Sequence, residues 1–274
     1  DLGGTLGRTE ATGRGGVMIL EALIAKLKRG VISNPDEVGT GSVRNPASEA
    51  SAKKHASLDF SATPRNDITI AVQGFGNVGY YFAQIATDKG YKIVALSDSK
   101  GGITNDGGKP LDPKAVLACK KEKGSLAGCY CSGGVCDVKG GKMISNEDLL
   151  ELPVDVLVPA ALENVINREN MHKIKAKIII EMANGPVTEE AYEYLIKKGV
   201  IIVPDVLANS GGVGVSYLEW FQNMKGETWS EGKVNRRLQS MMDSAFNAIW
   251  AKSIKKKMPL KQAAFEVALE RIIV

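Results

Sequence analysis

Long hydrophobic runs are missing from this chain. Its apolar stretches, such as 154–162, break well short of the roughly 20 residues that a helix needs to cross a bilayer, so no transmembrane segment and no membrane partner is expected. A surplus of one charge is missing too: 35 Lys and Arg stand against 31 Asp and Glu, a formal +4 with both signs interspersed. That balance gives no reason to invoke nucleic acid or another polyanion. The only histidines are His55 and His172. Neither belongs to a constellation with Cys, Asp or Ser, and neither is assigned chemistry. Cysteine is also scarce, and three of the four are crowded into Cys129, Cys131 and Cys136, which is no evenly spread disulfide framework. A reducing cytoplasm is the expected setting. The opening DLGGTLGRTEATGRGG has neither the basic start nor the apolar core of a signal peptide. With Asp1 in first place, it is expected to be cut from something longer.

What is present is the composition of an ordinary globular chain, 44% hydrophobic and 24% charged, which excludes the disordered and fibrous classes. Apolar residues recur at three- and four-residue steps over 10–28, a helix that Gly30 ends. Residues 34–66 carry Pro, Gly, Ser and Asn and read as a connection with a short helix at 47–56. From Asp67 the pattern alternates. A β-rich run at 68–72, a helix at 77–89 and a second run at 92–96 make a βαβ unit. Further short strands are expected at 154–158, 177–181 and 200–203, with helices at 113–123, 168–174 and 189–197. A parallel sheet covered on both faces follows. After Pro204 come helices at 217–223, 232–255 and 260–273, a helical appendage broken by Pro259. Trp220, Trp229 and Trp250 lie there and are expected to pack against the nucleotide domain or a missing partner domain, and Lys255 to Lys257 to form a solvated helix end favoured by the macrodipole.

The segment ITIAVQGFGNVG sets Gly74, Gly76 and Gly79 in a G-x-G-x-x-G array directly after a strand and at a helix start. In such an array the first glycine permits a tight turn, the second lets backbone approach a pyrophosphate, and the third allows close helix packing. The helix N-terminus adds unpaired N–H donors and a positive dipole, here at Asn77 and Val78. Asp98 ends the second strand about 20 residues on, where a carboxylate can accept hydrogen bonds from a ribose, although it suits an ordinary turn equally. Ser99 and Lys100 follow, and a hydroxyl with an ammonium is what a 2′-phosphate would seek. The cofactor is therefore NAD or NADP, the choice left open. The expected fold is α/β, a Rossmann-like doubly wound sheet with a C-terminal helical appendage. Residues 1–66 form the N-terminal helix and connection, 67–205 the dinucleotide-binding domain, and 206–274 the C-terminal helices.

Four further segments, GRTEATGRG (7–15), PAALEN (159–164), ANGPVT (183–188) and NSGGVGVSYLEW (209–220), together resemble the glutamate/leucine/phenylalanine/valine dehydrogenase family, in order and along essentially the whole chain. The resemblance implies reversible oxidative deamination of L-glutamate to 2-oxoglutarate and ammonia. It implies that Arg8 and Thr12 lie at the nicotinamide carboxamide and cleft, that Asn77 and Ala160 meet the dinucleotide, and that Asn184 and Asn209 lie near the nicotinamide ribose. Val213 and Ser216 would line the amino-acid pocket, Ser216 towards the γ-carboxylate. The family's substrate domain, with a lysine motif and a catalytic aspartate, is absent from this stretch, so no catalytic residue is assigned here and the chain alone should not turn over. The whole protein would be a homo-hexamer and this chain monomeric or weakly associated. A stand-alone or split-subunit dinucleotide module is the alternative.

Cys129, Cys131 and Cys136 lie in a Gly-rich stretch. A reduced surface hairpin is favoured there. Zinc with Cys119 as fourth ligand is weighed against it, but C-x-C-x4-C matches no common zinc pattern, so no metal is assigned. A disulfide within the hairpin is the third reading.

Overall fold

The computed structural model describes residues 4–28, 60, 62–105, 109–126, 129, 131–132, 135–136 and 141–273. The connection 34–59, with the helix expected at 47–56, Gly30 and His55, lies outside the described residues. Helix α1 (Ala11–Lys28) leads. Then follow β1 (Thr69–Gln73), α2 (Asn77–Asp88), β2 (Lys92–Asp98), β3 (Gly101–Asn105) and α3 (Pro113–Lys123). Next come β4 (Cys131–Ser132), β5 (Val135–Cys136), β6 (Gly141–Ile144), α4 (Asn146–Leu150), β7 (Val156–Pro159) and β8 (Ile178–Ile180). The chain continues with α5 (Glu189–Lys197), β9 (Ile201–Val203), α6 (Asp205–Ala208), α7 (Gly211–Lys225), α8 (Glu231–Lys256) and α9 (Leu260–Ile272).

Seven strands form one sheet in the order β6-β3-β2-β1-β7-β8-β9. The five from β2 to β9 run parallel. Their side chains divide by the period of two that a pleated strand imposes. Ile70, Val72, Val156, Val158, Ile178 and Ile180 face one core with α1, α2, α7 and α8. Ala71, Leu157 and Ile179 face the other with α4 and α5. Both faces are covered, which is why these strands read as unbroken β-branched runs. The first core draws residues from α1, from the sheet and from the C-terminal helices alike.

Two expectations need correction. The sheet is mixed, because β3 and β6 add antiparallel strands beyond β2. Ser99 and Lys100 form a two-residue turn, and Gly101 at φ +127° carries the chain straight back. The helix expected at 168–174 is only a 3-10 turn at Met171–Lys173. Asn170 accepts from the Asn167 N–H and donates to the Val165 carbonyl, while Asn167 accepts from the Glu169 N–H. Asparagine side chains here compete with the helix for backbone partners.

Helix α1 makes its contacts through glycine. A Cβ on Gly13 would stand 2.6 Å from the Phe82 nitrogen of α2, and one on Gly15 would stand 2.8 Å from the Gly211 Cα of α7. A methyl at Gly211 would meet the Ala11 carbonyl at 2.4 Å and the Gly15 Cα at 2.9 Å, both backbone. Gly211→Ala should therefore force the helices apart. Overpacking of this kind costs about 1–3 kcal/mol, offset in part by the roughly 1 kcal/mol by which Ala favours helix over Gly. Thermal melting should show a lowered midpoint for Gly211→Ala and none for Gly4→Ala, where nothing lies within 4 Å. Equal midpoints would show that α1 and α7 can separate freely.

Candidate functional site

The order of strands reverses between β1 and β7, since β1 leads to β2 on one side and the chain returns to β7 on the other. Open α/β sheets bind ligands in the crevice at such a switch point. Gly74, at φ +95°, turns the chain there. A Cβ on it would lie 2.8 Å from the Ala161 Cβ and 2.9 Å from the Ala160 carbonyl, and one on Gly79 only 1.8 Å from the Gly74 oxygen. Gly76 differs. It precedes α2, is exposed, and has nothing within 4 Å of its missing Cβ. Two of the three glycines are thus filled by the protein's own backbone, and the middle one opens outward beside the helix N-terminus. Val78 is half-buried behind it. Asn77 is exposed and donates to the Thr9 carbonyl at 2.8 Å, tying the segment before α1 to the glycine turn.

On one side of the turn lies a groove of about 460 Å³ lined by Phe75, Gly76, Asn77, Tyr80, Lys120 and Lys121 among others. Lys120 donates to the Phe75 carbonyl at 3.0 Å and pairs with Asp98 at 3.2 Å. Asp98 also accepts from the Lys100 and Leu126 N–H groups at 2.9 and 3.0 Å. Burial alone would raise its pKa, but the two N–H groups and the Lys120 ammonium outweigh that and hold it below the ordinary carboxylate value. The charge of Asp98 is therefore committed within the protein, while Ser99 and Lys100 are exposed.

On the other side, Asn209 donates to the Asn184 side-chain oxygen at 2.7 Å. Asp205, at the start of α6, accepts from the Gly185 N–H at 2.8 Å, and its own N–H donates to buried Glu181 at 3.0 Å. Arg8 forms an ion pair with Glu219 of α7, and Thr12 lies against Gly212. Val213 is exposed and Ser216 half-buried one turn along, on the helix that carries Glu219. The structure thus joins Arg8, Thr12, Val213 and Ser216 along α1 and α7, and separately joins Gly74, Gly76, Asn77, Val78 and Gly79 with Ala160 at the switch point.

The cysteine expectation is corrected. Cys119 and Cys129, both buried, form a disulfide with each other, so Cys129 is not a reduced thiol and neither sulfur is free to ligate zinc. The hairpin itself exists: β4 and β5 pair with Cys131 opposite Cys136. Among the described residues no group of three or more His, Cys, Asp or Glu could hold a metal. Sequence reasoning missed Lys120, whose approach to Asp98 only the packing of α3 reveals. It also missed Glu181, although a lone charge inside the apolar run IIIEMA was a signal.

The fold and this turn define a dinucleotide-binding domain of the Rossmann type. The model of the Glutamate/Leucine/Phenylalanine/Valine dehydrogenase family matches residues 49–274, and the chain belongs to that family. It is 39% identical over 271 residues to the NADP-specific glutamate dehydrogenase of Synechocystis, covering 99% of this chain and 55% of that protein. It is 42% identical to a glutamate dehydrogenase of Thermotoga maritima, covering 88% of this chain and 56% of that one. Among solved structures, the hetero-hexameric glutamate dehydrogenase from Thermus thermophilus in its Leu-bound form superposes with a TM-score of 0.76 at 28% identity, covering 98% of this chain and 53% of that one. The chain spans about half the length of the relatives it matches.

The disulfide bears on the site because it braces two of the three partners of Asp98: Lys120 follows Cys119, and Leu126 lies three residues before Cys129. Closing a loop of sequence separation 10 stabilises by about 3 kcal/mol in the chain-entropy picture. Cys119→Ala/Cys129→Ala should lose about that much in denaturant unfolding, and hydrogen exchange at the Leu126 amide should speed up. Unchanged exchange at Leu126 would detach the disulfide from the site.

Proposed function

We propose that this chain is the dinucleotide-binding half of an NAD(P)-dependent glutamate dehydrogenase. The observation that carries the reading is the open face of Gly76 beside the α2 N-terminus, between two glycines closed by backbone. A pyrophosphate would occupy the open space that a side chain at this position would otherwise fill. The N–H groups of Asn77 and Val78 would face its charge. Gly74, Gly79 and Ala160 shape the crevice, and exposed Ser99 and Lys100 would meet the adenosine ribose, with the remaining acceptor capacity of Asp98 behind them. Asn184 and Asn209 would meet the nicotinamide ribose, with Arg8 and Thr12 near the carboxamide. The bound nicotinamide supplies the hydride acceptor, and the chain holds it in place.

In the whole protein, Val213 and Ser216 would face the amino acid, Ser216 towards the γ-carboxylate. The outer face of α7 supports this. Val213, Tyr217, Trp220 and Met224 recur at helical spacing and are all exposed, Trp220 by 56% and Val213 by 70%. A stripe of this kind fits a surface that another domain covers. The lysine and aspartate that move protons would belong to that other domain. On this reading the whole protein is a cytoplasmic homo-hexamer, and a stand-alone module without its own activity is disfavoured by relatives about twice as long.

Two outcomes test the reading. Calorimetric titration of the purified chain should give saturable binding of NADH and NADPH, within roughly tenfold of each other, about 1.4 kcal/mol. Gly76→Val should abolish both while leaving the melting temperature in place. A folded chain that binds neither nucleotide would sink the proposal. Without its other half the chain should show no glutamate turnover, since positioning of both reactants can be worth about 7–11 kcal/mol of the barrier. Turnover near the typical median of about 10 per second would place the acid–base groups in this chain.

A further inference from the structure

Among the described residues Glu181 is the one strongly buried acid, only 2% exposed, and the roles given above do not use it. It follows β8, and its own N–H donates to the Val203 carbonyl at the end of β9. Its carboxyl oxygen receives the Asp205 N–H at 3.0 Å. Asp205 in turn receives the Gly185 and Val206 N–H groups at 2.8 and 2.7 Å, and its carbonyl receives the Asn209 N–H at 3.0 Å. Asn184 precedes Gly185, and Asn209 reaches back to Asn184 at 2.7 Å. One carboxyl thus anchors the residue from which both asparagines take their backbone positions.

We propose that Glu181 is a positioning residue for the nicotinamide side of the site, acting through Asp205 on the Asn184–Asn209 pair. The proposal rests on the dinucleotide reading above. Four groups face Glu181 from the elements packed against it: Asp205 of α6, Glu189 and Tyr192 of α5, and Lys261 of α9. Burial raises its pKa to about 7; the Asp205 N–H opposes that, the Asp205 carboxylate adds to it, Lys261 opposes it and Glu189 adds to it. The neutral carboxyl accepts the Asp205 N–H without repelling the Asp205 carboxylate. Ionised, it sets two like charges across the start of α6. The asparagine pair is therefore held best below about pH 7 and loosened above it.

The linkage to stability has a definite sign. The folded chain keeps this proton up to about pH 7, whereas the unfolded chain releases it near 4.5, so ionising Glu181 costs stability as pH rises through that window. Glu181→Gln, which keeps an acceptor and cannot ionise, should remove that decline in melting temperature. The decisive measurement is calorimetric titration with NADH and with ADP, which lacks the nicotinamide ribose and ring, at pH 6 and pH 8. ADP's own titration is common to every protein and cancels in the ratio of variant to wild type. We expect wild type to lose NADH affinity relative to Glu181→Gln between pH 6 and pH 8 by about tenfold, with the ADP ratio constant. Glu181→Leu, which leaves the Asp205 N–H without a partner, should weaken NADH at both pH values and spare ADP. A Gln variant that keeps the wild-type pH dependence would overturn the assignment, as would variants that change ADP as much as NADH. Failure of folded wild type to bind either ligand would instead bring down the dinucleotide reading and this inference with it.

Discussion

Backbone-to-backbone packing of α1 against α2 on one side and α7 on the other is the contact on which the site depends. Gly13 admits α2, Gly15 admits α7, and Gly16 leaves room for Met182, whose sulfur would be 2.3 Å from a Cβ there. Each glycine serves a different neighbour, so no single one can be traded for packing elsewhere. Because α1 is wedged in this way, the turn that precedes it is delivered to Asn77 on α2 and to Glu219 on α7. Interiors are as dense as organic crystals and transmit displacement rather than absorbing it. A shift of α1 would therefore move both rims of the crevice together.

Charge is handled differently at the two ends of the crevice. Asp98 has its charge met by two N–H groups and an ammonium, so its ionised form is the stable one. Glu181 has its pKa raised to about 7 by burial, with the Asp205 carboxylate adding to the shift and a single N–H opposing it. Two acids at the ends of parallel strands are thus driven in opposite directions by their surroundings, one by donors and one by burial. Asp98 braces a groove lined by Lys120 and Lys121, and Glu181 braces a pair of neutral amides.

The part most legible in the sequence is the part built from local rules. A β-branched run, three glycines at fixed spacing and a helix start place β1 and α2 to within a residue, because turn geometry and phosphate approach leave few alternatives. Helix α7 is less legible. Gly211, Gly212 and Gly214 argue against a helix by propensity, yet the helix begins at Gly211, because the packing against α1 admits nothing larger there. The antiparallel strands β3 and β6 escape notice for another reason: each begins with glycine and neither is a β-branched run. Spacing could not name the partner of Cys119, since connectivity is decided by which loops fold together. Glu181 is visible as a charge in an apolar run, but its use of the Asp205 N–H depends on two strand ends meeting across the sheet.

The wedge of α1 also sets an order of events during folding. Its partner α2 begins at residue 77, but α7 and α8, which cover the rest of its apolar face, span 211–256. On a ribosome the part of that face which α7 and α8 cover therefore stays bare until residues 211–256 have been made. Contacts of such long sequence separation form late, because the loop they close is costly. In the interval the exposed stripe of Val17, Leu20, Ile24 and Leu27 is an aggregation hazard and a natural target for a chaperone. The same glycines that make the mature contact so close thus leave α1 dependent on helices made well over a hundred residues later.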